Sequence, residues 1–173
     1  MKKTLLGWLM AVGLMANAAA LGTVQITVEK TVDKGEKPRA EGQGSDAKLV
    51  SKVNYDIKLV NGTFADLSGL TLNYVIFVEH QKLGKKKDED VVARVTGSQA
   101  IPSLRNKSPQ IVTTKDIELI KSNLVGSYYF PNGGRIKVAD SVKGVWVRVS
   151  QDGKIVGEYT NPSTVTTRGW DAK

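Results

Sequence analysis

Hydrophobic and polar residues alternate along most of the chain after residue 22. In four runs the apolar side chains are two positions apart, so each run places them on one face of a strand and polar side chains on the other. These apolar positions are Val24, Ile26 and Val28; Val53, Tyr55, Ile57 and Leu59; Leu70, Leu72, Tyr74, Ile76 and Val78; and Val145, Val147 and Val149. In the last run, Trp146, Arg148 and Ser150 are predicted to face water. The pattern predicts antiparallel sheets with one face on a core.

Turn-forming residues separate the alternating runs. Asn61-Gly62 follows the second run, and Asp152-Gly153 lies between Val149 and Ile155, where it predicts a tight hairpin. Residues 82–90 are predicted to form a charged hairpin tip, and residues 33–47 a connector. Seven to nine short strands result, which favours an all-β fold: a two-sheet antiparallel β-sandwich of the immunoglobulin or fibronectin kind.

The segment from residue 109 to 124 fits two structures. Ile117, Ile120 and Leu124 lie on one face of a helix, which Thr113 or Asp116 would cap. Ile111, Thr113, Ile117 and Leu119 equally fit one face of a strand, and the segment is rich in β-branched residues. We favour a strand through about Ile120, followed by a short turn.

The first twenty residues have the pattern of a signal peptide. Lys2 and Lys3 precede an apolar run from Leu5 to Met15, and small residues follow up to Ala20. A membrane-spanning helix needs about 20 apolar residues, so we predict cleavage after Ala20, or slightly earlier after Ala18, with no transmembrane anchor in the mature protein. The protein is therefore expected to be exported, to the periplasm, the outer membrane or the cell surface.

The length and composition of the mature chain limit its domain number, its cross-links and its partners. Residues 21–173 are predicted to form a single domain, which is long enough to bury a sizeable core. The chain has no cysteine, which excludes disulfides and thiolate metal sites. Loss of Lys2 and Lys3 leaves 23 basic against 17 acidic residues. This balance favours polyanionic partners such as acidic glycans, whereas export argues against nucleic acid.

The residues that enzymes use are sparse and lack the usual motifs. His80 is the single histidine, and neither Gly-x-Ser-x-Gly nor His-Glu-x-x-His is present. Glycoside hydrolysis needs only two carboxylates, for which Asp88, Glu89, Asp90 and Asp140 are candidates. The first three stand beside lysines in the predicted hairpin tip, without the apolar pocket that a raised pKa requires. We therefore expect no catalytic residues, no metal and no cofactor, and predict that the protein is not an enzyme.

Two predicted loops are candidate contacts for a partner. Lys85, Lys86 and Lys87 form a basic tip, although charges beside a strand also serve to block edge-to-edge aggregation. Tyr128, Tyr129 and Phe130 form an aromatic loop, which would either anchor a glycan or protein partner or close one end of the sandwich.

Three segments carry a resemblance to a known group of proteins. They are Val53 to Asn61, Leu70 to Ile76, and Lys143 to Val149, the last continuing through Asp152-Gly153-Lys154 to Asn161-Pro162. In these segments the chain resembles small secreted immunoglobulin-like β-sandwich proteins of bacterial cell surfaces, and it is similar to one encoded alongside type IV pilus genes. The resemblance implies a role in pilus assembly or adhesion, with an envelope or pilus protein as partner or by self-association. A glycan-binding module that uses the aromatic loop and the basic surface is the alternative.

Overall fold

The computed structural model describes residues 23–34, 47–81, 91–123 and 137–171. Within these ranges the chain forms nine β-strands and one 3₁₀ helix, so the predicted all-β class and strand number are confirmed. The strands are β1 (Val24–Lys34), β2 (Ala47–Asn61), β3 (Leu67–His80), β4 (Val91–Leu104), β5 (Gln110–Thr113), β6 (Ile117–Asn123), β7 (Lys137–Ala139), β8 (Ser141–Gln151) and β9 (Lys154–Asn161). The 3₁₀ helix, Ser163–Arg168, follows β9. No helix in these ranges is long and apolar enough to cross a membrane.

The strands form two antiparallel sheets. Sheet A has the order β1-β2-β6-β7, with β5 also paired to β2, and sheet B has the order β4-β3-β8-β9. The chain passes from sheet A to sheet B after β2, returns after β4, and crosses again after β7. This division of strands between two packed sheets is that of an immunoglobulin-like or fibronectin-like sandwich, as predicted.

The alternating residues meet between the two sheets. Ile57 of β2 and Leu72 of β3 are both fully buried there, and Ile57 lies opposite Val28 of β1 and Val112 of β5. Each strand directs its alternating apolar side chains into this core, away from water. The predicted inward faces of the first three runs, and the valines of the fourth, are therefore confirmed.

The segment from residue 109 to 124, which fits either a helix or a strand by sequence, contains two strands joined by a β-bulge. Asp56 pairs with Thr113 and Val53 with Ile117, so two residues of β2 lie opposite the three residues 114–116. One extra residue reverses which positions face inward. For this reason Ile111 is exposed whereas Ile117 is buried, and the prediction that both share one strand face is wrong. The strand also continues to Asn123, beyond the turn expected after Ile120.

The bulge is fixed by Thr114. Its side-chain oxygen accepts a hydrogen bond from the Tyr55 N–H at 3.0 Å, and its own N–H donates to the Tyr55 carbonyl at 2.9 Å. Tyr55 is therefore hydrogen-bonded although no residue of β5 or β6 lies directly opposite it. Loss of ladder bonds at a bulge is compensated here by one threonine side chain.

Sheet B buries residues on both of its faces. Val75 and Phe77 of β3 point away from the main core, together with Trp146 of β8, and all three are buried beneath Val165 of the 3₁₀ helix. The prediction that Trp146 faces water is wrong: only 5% of it is exposed. The segment after β9 folds back over this face and covers it.

The β8–β9 hairpin has the predicted turn. Asp152 and Gly153 are its two central residues, with φ of 50° and 77°. Positive φ at both positions is the geometry of a type I′ turn, whose twist matches that of the strands it joins.

Candidate interaction surface

The contact residues predicted from sequence lie outside the described residues. Lys85, Lys86 and Lys87 fall between β3 and β4, and Tyr128, Tyr129 and Phe130 between β6 and β7. Asp88, Glu89 and Asp90 fall in the first of these segments, and residues 1–20 precede the described part of the chain.

His80 and Asp140 tie the two sheets together where β7 passes into β8. Asp140 Oδ2 lies 3.2 Å from His80 Nδ1 and accepts a hydrogen bond from the Ile120 N–H at 3.1 Å. The Asp140 N–H donates to the Ile120 carbonyl at 2.9 Å. His80 belongs to sheet B and Ile120 to sheet A, so this buried carboxylate holds the crossing point in place.

Phe64 is the most exposed large apolar residue of the described chain. It lies between β2 and β3 and is 93% exposed. The loop that presents it is organised by Asn61, whose side-chain nitrogen donates to the carbonyls of Ala65 and Leu104 at 2.8 and 3.0 Å. The Asn61 side-chain oxygen accepts the Thr63 N–H at 2.8 Å. Because Asn61 is itself buried, it anchors this loop to the body of the sandwich.

A second set of hydrogen bonds joins this loop to the turn after β4. Asn106 donates from its side chain to the Phe64 carbonyl at 3.1 Å. Its main-chain N–H donates to Asp66 Oδ1 at 2.9 Å. The main chain of Phe64 is thus held on both sides while its ring projects into solvent.

Strand β4 is an edge of sheet B that ends beside this loop. Among the described strands it pairs with β3 alone, along its whole length. From Val95 to Leu104 it carries no charged residue, and Thr96, Ser98 and Ala100 are exposed. Edge strands of this length usually carry charges or bulges that block pairing with another chain. Pro102 is the residue in this stretch that limits such pairing.

A groove of about 500 Å³ borders the same end of β4. Its volume lies within the range of about 300–1,000 Å³ that is usual for binding sites. The lining residues come from the end of β4 and the following turn; they are Pro102, Ser103, Leu104, Arg105, Ser108, Pro109 and Gln110. We call Phe64, the uncharged part of the β4 edge (Val95 to Leu104) and this groove the Phe64 surface.

The aromatic and charged side chains on the outer face of sheet B contact one another. Trp146 and Trp170 meet edge to face with ring centres 5.1 Å apart. The Arg148 guanidinium lies 4.5 Å from the centre of each ring. Glu158 Oε1 accepts hydrogen bonds from Trp146 Nε1 and Arg148 Nε, each at 2.8 Å. The two indoles, the guanidinium and the carboxylate thus use one another as partners.

The charge of Glu158 is stabilised by these contacts. Burial by itself would raise the pKa of Glu158, but the hydrogen bonds from Arg148 and Trp146, with the charge of Arg148, outweigh it and hold the pKa below its ordinary value. The carboxylate therefore remains ionised at neutral pH and holds Arg148 against both indoles.

Sequence reasoning missed Phe64 because local sequence does not report exposure. Thr63-Phe64-Ala65 has no motif, and the groups that organise it are distant in the chain, at Leu104 and Asn106. The burial of Trp146, by contrast, is indicated by the sequence of the neighbouring strand β3. The run from Tyr74 to Val78 is apolar without interruption, which is typical of a strand covered on both faces.

Comparisons with known proteins identify no family for the chain and two solved structures with distant similarity. No protein-family model matches the chain, and no curated protein matches it. A crystal structure from Akkermansia muciniphila is similar to 87% of this chain and 77% of its own, at 16% identity and a TM-score of 0.37. An X-ray structure of a Northeast Structural Genomics Consortium target is similar over 74% of this chain and 88% of its own, at 12% identity and a TM-score of 0.27.

Proposed function

We propose that the protein is a non-catalytic interaction module of the cell envelope that serves a pilus, in assembly or adhesion, by binding a protein partner at the Phe64 surface. The main observation behind this proposal is the environment of Phe64. Its ring projects into solvent, whereas its main chain is held by hydrogen bonds. Aromatic side chains supply much of the binding energy in protein interfaces. Because the main chain of Phe64 is already held, binding need not order this loop, which reduces the entropy lost on association.

The β4 edge defines the kind of segment that would bind. An extended strand of a partner adds to an open sheet edge through main-chain hydrogen bonds, while side-chain pockets supply specificity. The uncharged stretch from Val95 to Leu104 offers such an edge, and Phe64 lies at its end. The pilus assignment rests on the resemblance carried by Val53 to Asn61, Leu70 to Ile76 and Lys143 to Val149.

Gene deletion with complementation tests this function. We expect deletion to alter surface piliation or adhesion, and the wild-type gene to restore it. Phe64→Ala should fail to restore it, whereas the control Ile111→Ala, which removes an exposed apolar side chain from the outer face of sheet A, should restore it fully. Unchanged piliation and adhesion after deletion would contradict the proposal, as would full restoration by Phe64→Ala.

The contribution of the β4 edge is tested separately with Ala100→Lys. Ala100 is exposed, so a lysine there leaves the core intact while placing a charge on the edge, which opposes strand addition. We expect this variant to remain folded but to lose partner binding. The matched control is Ile155→Lys on β9, the opposite edge of sheet B, and it should bind normally.

The glycan-binding alternative uses Tyr128, Tyr129 and Phe130 with Lys85, Lys86 and Lys87. A glycan array distinguishes it from protein binding. Binding that is lost in Tyr128→Ala and Tyr129→Ala would favour the alternative, and binding that survives both changes would remove this loop from it.

A further inference from the structure

The two sheets separate along one side of the sandwich. Near its beginning β1 lies against β9, where a Cβ atom on Gly157 would stand 2.6 Å from the Val24 carbonyl oxygen, so only glycine permits this approach. Thr23 Oγ1 also donates to the Val156 carbonyl at 3.3 Å. Further along the same strands a cleft of about 220 Å³ opens between the sheets. Its lining residues are Val28, Lys30, Tyr55, Val142, Lys143, Gly144, Val145, Tyr159, Asn161 and Pro162.

Tyr55 lines this cleft, and its hydroxyl makes no hydrogen bond to the described residues. Its side chain is packed in the core and only 6% of the residue is exposed. Within the described part of the chain the hydrogen bonds of Tyr55 are all made by its main chain. Burial, with a smaller contribution from nearby Tyr159, raises the pKa of Tyr55 to about 12, so the hydroxyl keeps its proton. A tyrosine hydroxyl donates one hydrogen bond, which a ligand with an acceptor atom in the cleft would receive.

The cleft has cationic groups and no acidic residue in its lining. Lys30 is directly opposite Tyr55 in the pairing of β1 with β2, and no described carboxylate lies within ion-pair distance of it. Lys143 Nζ is 2.7 Å from Glu79 Oε2, an ionic contact outside hydrogen-bond geometry, which offsets its charge. Within the described ranges, Lys30 is therefore the cation of the cleft whose charge is not offset. Together with the Tyr55 hydroxyl, it favours an anionic acceptor.

The other lining residues and the volume of the cleft indicate the chemistry and the size of the ligand. Val28, Val142 and Pro162 are apolar, and the half-buried ring of Tyr159 offers a flat surface of the kind that packs against a sugar. Asn161 adds an amide that can bond hydroxyl groups. A volume of about 220 Å³ is below the usual range for drug-sized ligands, so the cleft suits one small ring.

We propose that this cleft binds one uronic-acid-type sugar, with the carboxylate at Lys30 and the Tyr55 hydroxyl and the ring against Tyr159 and the valines. The sugar is either free or the end of an acidic polysaccharide, which present the same chemistry. This site uses none of the residues of the Phe64 surface and goes beyond the protein binding proposed above.

Titration of the purified protein tests the site. Galacturonate and a galacturonate oligomer are added separately and followed by calorimetry, with neutral galactose as the reference for the carboxylate. We expect galacturonate to bind at least about tenfold more tightly than galactose, since a hydrogen bond to a charged group contributes about one such factor or more. Equal affinity for monomer and oligomer assigns the ligand to the free sugar or a chain end alone, and tighter oligomer binding assigns it to polysaccharide; both support the site.

Matched variants decide whether the cleft is responsible. Tyr55→Phe fills the same core volume without the hydroxyl, and Lys30→Gln removes the charge; each should weaken galacturonate binding about tenfold. Tyr74→Phe removes a hydroxyl elsewhere in the core and Lys58→Gln removes a charge from an exposed position, so both should bind as the wild type does. Circular dichroism confirms that each variant is folded.

Three results would overturn the proposal. These are no galacturonate binding by the wild-type protein at millimolar concentration, equal affinities for galacturonate and galactose, and unchanged binding by folded Tyr55→Phe. Phe64→Ala should leave galacturonate binding unchanged, so failure of this site and failure of the Phe64 surface are distinguishable.

Discussion

Ile57 and Lys58 are neighbours on β2 with opposite surroundings. Ile57 is fully buried between the sheets, whereas Lys58 is exposed on the outer face of sheet A. Ile57→Ala leaves a cavity and should lower the free energy of unfolding by about 2–5 kcal/mol. Lys58→Ala should change it by less than about 0.5 kcal/mol. Urea denaturation of both variants measures these values, and small, equal losses would mean that the inward face of β2 is assigned wrongly.

The ionisation of Glu158 makes the free energy of unfolding depend on pH. Its pKa in the folded protein lies below the ordinary value of 4.5 because Arg148 and Trp146 stabilise the carboxylate against the effect of burial. A lowered pKa means that the group stabilises the fold above its ordinary pKa, and that this contribution is lost as the pH falls through the folded value.

A comparison with Glu158→Gln isolates this effect. The variant should be less stable than the wild type at pH 7, and the difference should shrink when urea denaturation is repeated at successively lower pH below about 4.5. Glu118→Gln, which alters an exposed carboxylate on sheet A, is the control. A difference that is constant between pH 7 and pH 3 would show that the carboxylate charge is not what stabilises the cluster.

At the scale of elements, one arginine supplies three hydrogen bonds that hold the segment after β9. Arg94 of β4 donates to the carbonyls of Arg168, Gly169 and Trp170 at 2.6, 3.2 and 3.3 Å, and its guanidinium lies 5.1 Å from the centre of the Phe77 ring. Gly144 leaves room for Val165, since a Cβ atom there would be 2.7 Å from Val165 Cγ2.

Removal of this arginine should loosen the segment selectively. Arg94→Ala is expected to weaken its attachment by about 1.5–3 kcal/mol, the contribution of hydrogen bonds to a charged group. Amide hydrogen exchange should then accelerate at Val165 and Gly169 while β2 and β3 remain protected. Arg105→Ala, which changes an exposed arginine in the turn after β4, should have no such effect. Unchanged exchange at Gly169 in Arg94→Ala would contradict the role given to Arg94.

The strands that sequence predicted correctly are those with one face buried and the other exposed to solvent. Alternation was sufficient for β1, β2 and most of β8, because burial and exposure then follow the two-residue period. It failed at the bulge of residues 114–116, since one extra residue reverses the period without any composition signal. It also failed at Trp146, because the cover that buries it comes from Val165 and Trp170, in a segment without a periodic pattern of its own.

At the scale of the whole molecule, both proposed binding surfaces depend on contacts between distant parts of the chain. Phe64 is positioned by Asn106, and the cleft brings Lys30 and Tyr55 of sheet A against Tyr159 of sheet B. A sequence pattern reports which face a residue takes within its own strand, and not which strands meet across the sandwich. The fold class was therefore predictable from sequence, whereas neither surface was.

The prediction that residues 21–173 form one domain has a direct consequence for unfolding. Both sheets contribute side chains to one main core, so the inner face of each sheet becomes exposed when the other sheet unfolds. We expect a single cooperative transition in urea. Far-UV circular dichroism reports the strands of both sheets, and the fluorescence of Trp146 and Trp170 reports the outer face of sheet B, so the two signals should have the same midpoint.

Arg94→Ala serves as the internal control for that experiment. By loosening only the segment that carries Trp170, it should move the fluorescence transition to lower urea concentration than the circular dichroism transition. The wild-type signals coincide if the sandwich and its covering segment unfold together. Separate midpoints in the wild type would instead mean that the segment after β9 is a unit of lower stability, and two circular dichroism transitions would mean that the sheets are not one cooperative domain.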